Sequence, residues 1–221
     1  VAESFEWRGQ LRGLWEARIG VFQALLAEGR SFVHSDVDAV WLRNPLTEWL
    51  TAEPDMSFSQ GTIHPPQVHA ATGFVLCCGL FRMNASQASA DFLDRVAADI
   101  QKTGDDQTSV NRVLLEAGTV WERTSTPDYR LQMQGKHFSC WKHPIEGVCT
   151  ELGLRVKLIP HSVVQRIHDP IDTAGRAYVK HLLAPKNAAE KLDQFQRDEL
   201  LFIRPDWREL PRQASVDDFR R

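Results

Sequence analysis

The feature that most constrains the fold is the run Gly73-Phe74-Val75-Leu76-Cys77-Cys78-Gly79-Leu80-Phe81-Arg82-Met83, apolar from end to end apart from Arg82. It is far shorter than the roughly 20 residues a membrane helix needs. It also lacks the polar stripe of a surface helix, so it reads as a strand buried at the centre of a sheet. On either side the pattern changes to helical spacing. Before it, Leu11, Leu14, Trp15, Ile19, Phe22, Leu25 and Leu26 recur on one face, which predicts a helix from about Phe5 to Glu28 with Gly29 as its stop. After it, Phe92, Leu93, Val96 and Ile100 mark a helix over Ser86 to Lys102. Val110, Val113, Leu114 and Leu115 mark another that starts near Asp106. A buried strand between amphipathic helices requires an α/β layered fold. The 221 residues suffice for one domain with a sizeable core, and no linker or repeat divides them, so a single domain over 1–221 is expected.

The remaining segments fill in around that frame. Ser31-Phe32-Val33-His34-Ser35 reads as a strand, with Asp36-Val37-Asp38 at its carboxyl end. A short helix is expected from Leu46 to Leu50, a strand at Met56 to Ser59, and a loop at Gly61 to Ala71 because of Pro65-Pro66. Ala188 to Leu200 has a helical pattern, and Leu201 to Trp207 reads as extended. Nucleotide-binding α/β domains normally open with a βαβ unit. This chain opens in a helix, so the expectation is that a nucleotide-binding N-terminal portion is missing, and that further strands pair beside Arg30–Ser35.

Charge and cysteine content narrow the function classes. A net charge of −3 and a pI of 6.3 argue against nucleic acid as a partner. No transmembrane run or signal peptide is visible. The compartment stays open, between a Golgi lumen in a eukaryote and a cytoplasmic or membrane-associated place in a bacterium. Cys77 and Cys78 read as buried small hydrophobes. Cys140 and Cys149 flank a short loop and would be in reach of a disulfide if the protein matures in an oxidising compartment.

The chemistry concentrates in Asp36-Val37-Asp38. Two aspartates one residue apart at a strand end project into the crevice beyond the sheet, where open α/β sheets place their ligands. Hard cations such as Mg²⁺ or Mn²⁺ take carboxylate oxygens. Such a cation between two phosphates stabilises a nucleoside diphosphate as it leaves. A bare Asp-x-Asp is more often a pair of solvated loop carboxylates; the continuation is what sets this one apart. His34-Ser35-Asp36-Val37-Asp38-Ala39-Val40-Trp41-Leu42-Arg43-Asn44-Pro45 resembles the DxDxVWLRxP signature of the nucleotide-diphospho-sugar transferases related to glycosyltransferase family 77, and more distantly family 8. The preceding helix with Arg18, and Leu25-Leu26 before Gly29, resemble the same family. So does the apolar run at Gly73, as the strand where donor sugar and acceptor meet.

The resemblance implies a GT-A-type, Rossmann-like mixed sheet flanked by helices. It also implies a metal-dependent, retaining transfer of a sugar from a nucleotide diphosphate, UDP first, to a hydroxyl on a glycan or glycoprotein. Asp38 then binds Mn²⁺ or Mg²⁺ directly, and Asp36 binds the metal, its water or the ribose. Asp106-Gln107 followed by Asn111 resembles the DQxxxN element, which implies positioning and charge stabilisation at the reacting carbon. His181 followed by Lys186 resembles the C-terminal pair in which His completes the metal site and Lys meets the diphosphate. Arg43 faces either a phosphate or a surface ion pair.

Simpler roles compete. Asp106 also reads as a helix cap; His161 and His168 compete with His181; Trp41 and Trp141 read as core before sugar platforms. Two rival functions remain. One is a haloacid-dehalogenase-type phosphohydrolase with Asp36 as nucleophile. The other is a non-catalytic sugar-binding relic of the fold.

Overall fold

The computed structural model describes residues 2–122, 126–133, 135–169, 177–183 and 188–200. Two compact units are present, residues 1–182 and residues 183–221. The first opens with helix α1 (Ala2–Ala27), then strand β1 (Phe32–Ser35), a tight turn and β2 (Val40–Trp41). There follow β3 (Met56–Gln60), α2 (Pro66–Thr72), β4 (Leu76–Met83), α3 (Gln87–Thr103) and α4 (Asp106–Glu116). The strands β5 (Val120–Glu122), β6 (Tyr129–Met133), β7 (Lys136–Cys140), β8 (Ile145–Cys149) and β9 (Leu154–Ile159) come next. Two short strands follow among the described residues, β10 (Val164–Gln165) and β11 (Val179–Lys180). The second unit contributes helix α5 (Ala188–Arg197).

The apolar run does lie inside a sheet. Six strands pair in the order β1-β4-β3-β9-β8-β5, and only β3 and β9 run parallel, so the sheet is mixed as expected. β1 forms one edge and, among the described residues, pairs only with β4. A second sheet, β10-β11-β2, is small, and β6-β7 is a hairpin. One core packs Ile19, Phe22 and Leu26 of α1, Phe92, Val96 and Ile100 of α3, and Val110 and Leu114 of α4 against Met56, Phe58, Phe81 and Met83 of the sheet. The Phe22 ring stacks on Phe32 at 4.7 Å and meets Phe81 edge-on at 5.4 Å. Truncating a fully buried ring such as Phe92 costs about 3–5 kcal/mol. A second core, with Leu80, Ile159, Val164 and Val179, joins the small sheet to the large one.

Several local readings change. Gly61 to Ala71 is not all loop, because Pro66 opens α2. Proline suits the first turn of a helix, where its missing N–H would have no intrahelical partner anyway. Leu46 to Leu50 is a turn and not a helix; Trp49 and Leu50 both donate to the Pro45 carbonyl, at 3.0 and 2.9 Å. The cap of α4 is Asp105, whose carboxylate accepts from the Thr108 amide at 2.7 Å, so Asp106 is released from capping. Asn111 accepts from Leu76 N and donates to Leu76 O, both at 2.8 Å, and so clamps α4 to β4. Cys140 and Cys149 are free buried thiols on strands of different sheets; no bridge joins them. Among the described residues no helix is long and apolar enough to cross a membrane.

Candidate metal centre

Period-2 alternation along β1 puts Phe32, His34 and the following Asp36 on one face. The Asp36 amide donates to Gly79 O at 2.7 Å, which continues the β1–β4 pairing into the turn. The chain turns at Val37, which is fully exposed, and returns as β2. β2 pairs with β11, Val40 opposite Lys180 and Trp41 opposite Val179. The segment that follows Asp38 is thereby tied to the segment that precedes His181. Two neighbouring aspartates and a histidine far along the chain meet at this junction of the two sheets. One ligand atom from each of Asp36, Asp38 and His181 lies within 4.8 Å of the others. His181 Nε2 is 3.3 Å from Asp38 Oδ1 and 3.6 Å from Asp36 Oδ2.

The floor of this junction is a glycine. β3 and β4 lose register between Phe58 and Ser59: Phe58 faces Phe81, while Ser59 faces Cys77. The skipped residues Cys78, Gly79 and Leu80 bulge, and Ser59 Oγ donates to the Leu80 carbonyl at 2.9 Å. A Cβ on Gly79 would overlap the His181 ring and stand 2.8 Å from Asp36 Oδ2. A bulge with a glycine at a close approach is the kind of irregularity that re-aims side chains at a site.

Charge is arranged around the triad. Arg18 of α1 is mostly buried; its Nη1 lies 3.1 Å from Asp36 Oδ1, and its Nη2 pairs with Asp106 Oδ2. His34 Nε2 is 3.0 Å from the same Asp36 Oδ1. Arg18 Nη1 and His34 Nε2, themselves 3.2 Å apart, thus both meet one oxygen of Asp36, and the other oxygen faces His181. Burial pushes the Asp36 carboxyl up, but the His34 hydrogen bond and the charges of His181 and Arg18 outweigh it and hold it below the ordinary aspartate value. Burial pushes His181 down, but Asp38 and Cys77 outweigh it and raise the imidazole above its usual value. Cys77 Sγ lies 3.9 Å from His181 Nδ1, which leaves Nε2 for the carboxylates. Burial raises the Cys77 thiol; Arg166, His181 and the Gly79 amide outweigh it and bring it to about 6.

Carboxylate oxygens and one imidazole nitrogen, converging over a glycine that leaves them room, form a donor set of the kind that takes a divalent cation. The other expected residues fall as follows. Asp106 is buried beside Arg18, so it is coupled to Asp36 through one guanidinium. Gln107 is half-buried and donates its side-chain amide to the His64 carbonyl at 2.8 Å, which anchors the loop before α2. Arg43 is exposed, with its guanidinium 5.8 Å from the centre of the Tyr178 ring. Lys186 lies outside the described residues. Trp141 is core, edge-on to Phe74; Trp41 is half-exposed and donates to Ser35 Oγ at 3.0 Å.

Sequence reasoning missed His34, Gly79 and Cys77, and it named Arg18 without a role. Arg18 was detectable as a cation on the apolar stripe of α1, between Trp15 and Phe22. Gly79 was detectable as a glycine inside an apolar strand.

The model of one family, nucleotide-diphospho-sugar transferase, matches residues 7–195. No curated protein and no solved structure matches. The family match leaves no support for the phosphohydrolase reading with Asp36 as nucleophile.

Proposed function

Because the chain belongs to the nucleotide-diphospho-sugar transferases, we propose that it transfers a sugar, with retention, from a UDP-sugar to a hydroxyl of a glycan or glycoprotein, using a divalent cation held by Asp36, Asp38 and His181. The observation that carries this reading is the convergence of those three ligand atoms within 4.8 Å. When bound, Mn²⁺ or Mg²⁺ would offset the charge that builds on the departing diphosphate. Asp38 and Asp36 Oδ2 would hold it together with His181 Nε2. Arg18 joins Asp36 and Asp106 through one guanidinium, which supports a positioning role for Asp106 beside the proposed metal. Positioning and fixed charge of this kind lower a barrier without a covalent nucleophile. Gln107, anchored at His64, shapes the same end of α4. Arg43 and Lys186 are proposed to meet the phosphates.

The test is UDP release from a panel of UDP-sugars, with and without Mn²⁺, beside p-nitrophenyl phosphate as a phosphatase control. Mn²⁺-dependent release with no phosphatase activity supports the reading. Metal-independent release, or none from any nucleotide sugar, contradicts it. Mn²⁺-dependent UDP binding without turnover would leave the sugar-binding relic.

A further inference from the structure

One cation in the neighbourhood of the triad has no role so far. Arg166 follows directly on β10, and its Nη1 is buried without a hydrogen-bond partner among the described residues. β10 runs parallel to β11, Val164 opposite Val179 and Gln165 opposite Lys180, and His181 N donates to Gln165 O at 2.9 Å. Arg166 is therefore the residue next to the carbonyl that holds the His181 amide. Its charge is felt by both His181 and Cys77. The backbone of Arg166 is held firmly, since its amide donates to the buried His161 Nε2 at 3.1 Å.

A buried guanidinium nitrogen left without a partner loses the hydration it would have in water and gains nothing in return. Its place near His181, the imidazole of the proposed metal centre, adds a second cost, because a guanidinium and a divalent cation repel each other. An anion bound between them removes both problems. Arginine suits this task, since its planar fork meets phosphate oxygens in pairs. We propose that Arg166 binds the diphosphate of the donor, on the side of the metal centre formed by β10 and β11. This rests on the reading of Asp36, Asp38 and His181 as a metal centre for a nucleoside diphosphate. It assigns to a described residue the phosphate contact that the sequence placed at Arg43 and Lys186.

The experiment compares the wild-type protein with Arg166→Gln and Arg166→Lys by calorimetry. The probes are Mn²⁺ alone, then inorganic pyrophosphate, UMP and UDP, each with saturating Mn²⁺. If Arg166 meets the diphosphate, Arg166→Gln weakens pyrophosphate and UDP by about tenfold or more, as loss of a charge-assisted contact should. The same variant leaves Mn²⁺ affinity unchanged or tightens it, because a repelling charge is gone. Arg166→Lys recovers part of the loss. UMP, which lacks the second phosphate, changes less than UDP. A purely structural arginine would give parallel losses for metal and diphosphate, and that result overturns the proposal. So does equal pyrophosphate binding by wild type and Arg166→Gln, which leaves the metal-centre reading standing. Failure of the wild type to bind Mn²⁺ with any diphosphate overturns both.

Discussion

Two buried histidines in this chain sit next to aspartates, and they behave in opposite ways. His161 is closed on every side. Its Nδ1 lies 3.0 Å from Asp169 Oδ2, and its Nε2 accepts from the amides of Arg166 and Ile167 at 3.1 and 3.4 Å. Tyr129 donates to the same Asp169 oxygen at 2.7 Å, and His161 and Asp169 are both fully buried. His181 is buried too, but it faces two carboxylates that keep 33% and 19% of their side-chain surface exposed. Negative charge there exceeds what the imidazole can offset, and the carboxylates open to solvent. A His–Asp network with every valence satisfied holds a loop in place. A cluster of two carboxylates and an imidazole with an open side offers a cation its donors. Residue type alone does not separate these two cases, which is why the sequence left His161 and His168 as rivals of His181.

The comparison breaks first at Asp38. Asp38→Ala removes a ligand from the open cluster and should lower Mn²⁺-dependent turnover by about a thousandfold, equivalent to about 4 kcal/mol of transition-state stabilisation. Thermal unfolding should be nearly unchanged. Steady-state kinetics with the best UDP-sugar checks it, and turnover within a few-fold of wild type would undo the assignment.

Gly79→Ala asks whether the glycine floor matters. The new methyl would collide with the His181 ring and crowd Asp36. Mn²⁺ affinity should drop by about a hundredfold, in line with the sensitivity of ligand sites to displacements of about 1 Å. Unaltered affinity by calorimetry would mean that His181 reaches the site by another path.

His161→Phe should do the reverse of Asp38→Ala. It leaves Asp169 buried without its imidazole partner and should destabilise the fold by about 2–4 kcal/mol in a urea titration. Mn²⁺ affinity should stay within about threefold, since neither His161 nor Asp169 supplies an atom to the triad. A stable variant that cannot bind metal would collapse the distinction between the two histidines.

The smallest effect is that of pH. The His181 imidazole is raised above its ordinary value of 6.5 while Asp36 is held low. A metal takes the neutral imidazole, so below the His181 value a proton competes and Mn²⁺ affinity should rise by up to about tenfold per pH unit, then level off above it. Asp36 is already ionised across that window and adds no slope. Linkage runs the other way for the metal-free protein. A group whose folded value is raised contributes stability that is full below 6.5 and is lost as pH rises through the raised value. Mn²⁺ titrations between pH 5.5 and 8 check the first statement; a flat profile would exclude His181 as a ligand.

Much of this architecture was legible from pattern alone. The run from Gly73 announced a central strand, and its flanking helices appeared at nearly the expected positions because their apolar stripes are long and regular. Pro65-Pro66 misled because proline ends some helices and opens others, and the sequence does not say which. Asp36 and Asp38 were legible because their neighbours are distinctive. Gly79 was legible only as a glycine inside an apolar strand, and His34 and Cys77 were not legible, since their importance comes from which face of which sheet they meet. The bulge at Cys78 to Leu80 and the pairing of β2 with β11 are tertiary facts with no local signature.

The central claim is that the junction of the two sheets holds a cation and the His161 network does not. Anomalous diffraction at the manganese edge, from crystals soaked with Mn²⁺ and UDP, tests this directly. The account predicts one strong peak at coordination distance, about 2 Å, from Asp36, Asp38 and His181, with the diphosphate on its open side. It predicts no peak beside His161 and Asp169. A peak at the second place, or an empty triad with UDP bound elsewhere, would contradict it.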